Sequence, residues 1–123
     1  MFDTGYTREQ VAELLSAMLT VAPDRDDEHQ PARHFATALR DHLFKMPDID
    51  LDKLPYSTPE GFTETFLNER QRRQSLQLLI IMPYLSGKLH DDDVQRVDRY
   101  AQTADLSPGS LQDLNNLVNG HIK

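Results

Sequence analysis

The chain has 123 residues, enough to enclose one hydrophobic core and to form one domain. Thirteen Lys and Arg against 20 Asp and Glu give a formal net charge of −7, a field that repels the phosphates of nucleic acid and anionic lipid heads. The absence of cysteine excludes disulfides, thiolate metal sites and thiol nucleophiles.

The first six residues lack the charged-then-apolar pattern of a signal peptide, and no apolar run approaches the roughly 20 residues of a membrane span. The expected setting is therefore the cytoplasm, without insertion into a membrane. Thr7 and Gln10, three residues apart, make a capping box for a helix over Arg8 to Ala22, in which Val11, Leu14, Leu15, Met18 and Leu19 recur at helical spacing. Pro23 and the run Asp24, Arg25, Asp26, Asp27, Glu28 break that pattern. Pro31 suits the first turn of a second helix carrying Phe35, Ala36, Leu39, Leu43 and Met46, and Pro47 is expected to stop it at Met46.

Residues 47–68 read as a connector. It holds Ile49, Leu51 and Leu54 with room for one helical turn, then Thr58, Pro59 and Glu60 as the cap, first-turn proline and first-turn acid of a short helix through Phe62 and Phe66. Asn68 caps the next helix, whose Leu76, Leu78, Leu79, Ile80, Ile81 and Met82 are apolar almost all round and therefore belong at the centre of a bundle. Pro83 has no N–H to offer the carbonyl of Leu79, which predicts a kink near Met82. Asp91, Asp92 and Asp93 complement the positive start of a helix with Val94, Val97, Ala101 and Ala104. Ser107 and Pro108 open a last helix striped by Leu111, Leu114, Leu117 and Val118 and ended by Gly120.

Two-residue alternation is missing throughout, so the expected fold is all-α: a compact bundle of six to seven helices. A shift of 65 positions places Val11, Leu14, Leu15, Glu28, Phe35 and Ala36 on Leu76, Leu79, Ile80, Asp93, Tyr100 and Ala101 without a gap. The bundle is accordingly expected to consist of two pseudo-repeated helix-pair units, about 8–46 and 69–120.

From Arg72 to Leu117 the sequence resembles the TerB-like family of helical domains, named from bacterial tellurite-resistance proteins. The family's central apolar helix runs into a turn of the type Asp-Gly-Lys-Leu-Ser-x-x-Glu and then an amphipathic helix. Here the matching residues are Leu78 to Leu85 followed by Ser86, Gly87, Lys88, Leu89, His90, Asp91, Asp92 and Asp93. The family is also built of two similar helical halves. The resemblance implies a bacterial, non-enzymatic protein-interaction or scaffold module with a stress-response role, and acids at the turn that could hold a metal. The family's aspartate before the glycine falls on Ser86 and its later glutamate on Asp93, so one charge of such a site is lost.

The alternative reading is therefore a divalent-cation domain, binding Ca²⁺ or Mg²⁺ through Asp91 and Asp93 with Asp24, Asp26 or Glu28. Helix-start acids more commonly serve as caps and solvated surface. Five histidines offer neither a pair at i, i+4 on one helix nor His-Glu-x-x-His, and no Glu-x-x-His pair, nucleophile elbow or phosphate loop occurs. Arg70, Arg72 and Arg73 form the one basic concentration, read as a solvated helix face with an acidic partner as the alternative. Tyr84, Tyr100, Phe62 and Phe66 are expected in the core, and any pocket is expected beside them and Pro83. The expected partner is another protein, with homo-oligomers left open.

Overall fold

The computed structural model describes residues 5–24, 30–85, 87 and 89–104. Among them the fold is all-helical, with five α-helices and no strand. These are α1 (Arg8–Val21), α2 (Pro31–Ala38), α3 (Pro59–Thr65), α4 (Glu69–Ile81) and α5 (Asp91–Thr103). The last helix expected from Ser107 onward lies outside the described residues, as do Asp26 and Glu28.

Helix starts follow local side-chain chemistry. At α1 both halves of the capping box form: the Thr7 hydroxyl accepts from the Gln10 N–H at 3.1 Å, and the Gln10 side chain accepts from the Thr7 N–H at 2.9 Å. Thr58 accepts from the Gly61 N–H at 3.0 Å to open α3, and Asn68 accepts from the Gln71 N–H at 3.1 Å to open α4. The start of α2 is capped from a distance, because both oxygens of Asp24 accept backbone N–H groups, from Ala32 at 2.9 Å and Arg33 at 3.0 Å.

One helix end departs from the sequence expectation, and another falls at Pro83, a residue expected to bend or end its helix. The second helix does not run regularly to Met46; it is α-helical only to Ala38 and then widens into a π turn, Leu39–Leu43, closed by the Phe44 N–H on the Leu39 carbonyl at 2.9 Å. The wider turn goes with a buried Phe44, whose ring lies 5.2 Å from that of Tyr6, and Lys45 then ends the segment in the left-handed region at φ 55°. Near Pro83, where a kink is expected, α4 ends at Ile81 and tightens into a 3₁₀ turn, Met82–Tyr84. The Leu79 carbonyl, denied a partner by Pro83, accepts instead from the Met82 N–H.

Helix α1 is the hub, packing against all four other helices. Its Val11, Leu14, Leu15, Ala17, Met18 and Val21 are fully enclosed. Across from them α4 buries Leu76 and Leu79, α3 buries Phe62 with Phe66 buried at its C-cap, and α5 buries Val97, Tyr100 and Ala101. Fully burying one such side chain contributes about 1.5–3 kcal/mol, so the stripe on α1 is the largest local source of stability. The aromatic rings form a chain through this interior, Phe44 to Tyr6, Tyr6 to Phe66 at 5.6 Å, Phe66 to Phe62 at 4.8 Å, and Phe62 to Tyr100 at 5.5 Å.

Polar side chains tie the helices where carbonyls would otherwise be orphaned. Arg72 is not a solvated face residue: its guanidinium donates to the carbonyls of Phe66 at 2.7 Å and Thr63 at 3.4 Å at the end of α3, and of Ala104 at 3.1 Å after α5. Tyr6 Oη donates to the Gln71 carbonyl at 3.1 Å and also meets Ser75 Oγ at 3.0 Å, fixing the N-terminal segment to α4. No helix among the described residues is long and apolar enough to cross a membrane.

Candidate functional site

The connector passes over the end of α1 and turns into α3 opposite α5, leaving a cleft of about 210 Å³. Thr20 of α1 forms one wall, Tyr56, Ser57, Thr58 and Pro59 form the connector side, and Arg96, Arg99 and Tyr100 line it from α5. The segment is held in place by the Ser16 hydroxyl, which donates to the Pro55 carbonyl at 2.5 Å. Tyr56, between the anchored Pro55 and Ser57, is left 85% exposed.

Beneath the cleft lies a buried polar chain. The Ser57 hydroxyl donates to Glu13 Oε1 at 3.2 Å, and Ser57 Oγ and Tyr100 Oη are 2.7 Å apart. All three residues are buried. Burial pushes the Glu13 carboxyl above the ordinary glutamate range, and the Ser57 hydrogen bond opposes only part of that effect. Burial raises the Tyr100 phenol too, with the Ser57 bond acting the other way and the nearby acids Glu13 and Glu60 adding to the rise. Such a chain joins α1, the connector and α5 through satisfied bonds, and it holds the floor of the cleft in one arrangement.

Among the acids singled out in the sequence, Asp24 is engaged as the α2 cap. Asp93 is buried at 2% exposure and lies 2.7 Å from Arg96 Nη1, which also donates to the Val21 carbonyl at the end of α1 at 3.3 Å. Asp91 is exposed at the first position of α5. No group of three or more His, Asp or Glu is arranged to hold a metal among the described residues.

Of the four aromatic residues expected near any pocket, Tyr100 lines the cleft, while Phe62 and Phe66 are fully buried in the core. Tyr84 lies half-buried in the 3₁₀ turn after α4. Glu13, Tyr56, Ser57, Arg96 and Arg99 were not recognised as site residues from sequence. The available sign was the pair Arg96 and Arg99 at i, i+3 beside Tyr100, a basic ridge in an acidic chain.

No family model matches this chain, and neither a curated protein nor a solved structure does.

Proposed function

We propose that this chain is a non-enzymatic, TerB-like protein-interaction module, and that its partner seats on the face around Tyr56. The observation that carries the reading is the position of Tyr56: a large aromatic side chain held in solvent by a connector anchored on both sides, next to a cleft. Tyrosine is enriched among the residues that dominate binding energy, because its ring covers much area with few rotatable bonds.

The two halves are read as one duplicated helix-pair unit in a bundle of six or seven helices. In support, Val11, Leu14 and Leu15 are 0% exposed, and their counterparts Leu76, Leu79 and Ile80 are 0%, 0% and 3% exposed. A cytoplasmic stress-response role, of the kind the tellurite-resistance resemblance implies, rests on the apolar helix that runs into the turn at Gly87.

A photo-reactive amino acid at position 56, used in the cells of origin, tests the reading. A discrete adduct is expected, together with loss of the same partner from affinity capture when Tyr56 is changed to Ala and its retention when Leu67 is changed to Ala. Equal capture by Tyr56→Ala removes the proposal.

The competing cation reading places the ion on acids that already have roles, Asp24 as the α2 cap and Asp93 beside Arg96. A rise in melting temperature with millimolar Ca²⁺ or Mg²⁺ over an ionic-strength control, abolished in Asp93→Asn, would favour it.

A further inference from the structure

Donors and acceptors around the cleft are not evenly matched. One oxygen of each nearby carboxylate is engaged: Glu13 Oε1 takes the Ser57 hydroxyl and Asp93 Oδ1 takes Arg96. With Ser57 donating to Glu13, the Tyr100 hydroxyl donates to Ser57, so its proton is used as well. Thr20 gives its hydroxyl proton to the Ser16 carbonyl at 2.7 Å.

The protons still to be given belong to Arg99, Arg96 and Thr58, while the oxygens of Tyr100 and Thr20 keep lone pairs. Arg99 is exposed and makes no ion pair among the described residues. Arg96 retains N–H groups beyond the Nη1 that serves Asp93 and Val21. Thr58 accepts from Gly61 through its oxygen, which leaves its own proton to give.

A volume of about 210 Å³ is below the roughly 300–1,000 Å³ of pockets that enclose a whole small molecule, and it suits the tip of one side chain. Arg96 is compensated by Asp93, so Arg99 supplies one unbalanced positive charge. One charge matches a carboxylate better than a phosphate dianion, which the net charge of −7 would repel more strongly.

We infer that the cleft is a carboxylate subsite: it receives an Asp or Glu side chain of a partner protein on Arg99, Arg96 and Thr58, with the Tyr56 ring along the stem. This rests on the interaction reading and specifies the chemistry that the partner brings.

The test is a titration of the ¹⁵N-labelled full chain with acetyl-glutamate N-methylamide, followed at the Arg99 side chain and the Thr58 amide. Saturable shifts are expected for the glutamate compound and none for the glutamine analogue, with weaker shifts for the phosphoserine analogue. Arg99→Gln, an exposed change, should weaken binding about tenfold or more, and Arg99→Lys should recover part of the loss. Equal response to the glutamine analogue, no saturable shift, or unchanged binding in Arg99→Gln would overturn the subsite. Tighter binding of the phosphoserine analogue would overturn the carboxylate assignment. If position 56 still captures a partner while the glutamate compound leaves Arg99 unmoved, the subsite fails and the interaction reading survives. Saturable glutamate binding without any Tyr56-dependent partner would remove the interaction reading and, with it, a partner protein as the source of the carboxylate.

Discussion

Glu13 shares the buried surface of α1 with Leu14 and Ala17, and among the described residues the Ser57 hydroxyl replaces water at its carboxyl. Because its pKa is raised in the folded chain, the native state holds the proton more tightly than the unfolded state. The resulting stability is complete below the ordinary value of 4.5 and is lost as pH rises through the raised one. Glu13→Gln keeps an acceptor for Ser57 and cannot ionise; it is expected to flatten the stability profile above that value and to melt higher than the parent at neutral pH. Thermal melts across acid and neutral pH check both. Asp93 behaves oppositely as a mutational target, because its charge is matched by Arg96, which keeps about one-third exposure. Asp93→Asn leaves that guanidinium with a neutral neighbour, and a loss of about 2 kcal/mol in urea denaturation is expected. Legibility in sequence differed accordingly. Asp93 stood out as a helix-start acid, but its pairing with Arg96 did not; Glu13, a lone acid within an apolar pattern, carried no local sign that Ser57 would meet it from 44 positions away.

Element boundaries divide along the same physical line. Thr7, Thr58 and Asn68 open their helices through bonds to a residue three positions on, so the starts of α1, α3 and α4 were readable in the local sequence. The end of the second helix was not readable, because its π turn accompanies the packing of Phe44 on Tyr6, which lies 38 residues earlier in the chain. Arg72 shows how an element can depend on a distant one: from α4 it donates to carbonyls at the ends of both α3 and α5. Replacing it with Met keeps much of the stem and removes the three bonds. About 2 kcal/mol of destabilisation is expected, since exposure of the freed carbonyls to water recovers part of the loss. Hydrogen exchange should show earlier opening at residues 63–66 and 101–104 than in the α1 core; uniform acceleration along the chain would argue that Arg72 acts on global stability alone.

At the scale of the whole molecule, the register shared by the two halves of the sequence does not make them independent. Within the first half α1 packs on α2, but it also packs on α3, α4 and α5, so most of the cover over Val11, Leu14 and Leu15 comes from beyond residue 58. The cleft has the same dependence: Thr20, Tyr56 to Pro59 and Arg96 to Tyr100 come from three stretches that only the closed bundle brings together. This is why an all-helical fold could be anticipated from apolar spacing while the cleft could not, since no periodicity links positions 20, 56 and 99. A fragment of residues 1–58 would expose the apolar stripe of α1 to water, forfeiting about 1.5–3 kcal/mol for each large side chain against a total stability that for such domains is about 5–15 kcal/mol. It is therefore expected to show little helical circular dichroism and collapsed amide dispersion on its own. Mixing it with residues 59–123 should restore both, because the missing faces are then supplied in trans. A fragment that folds alone would mean that the first half closes its own core, and α1 would lose its place as the hub.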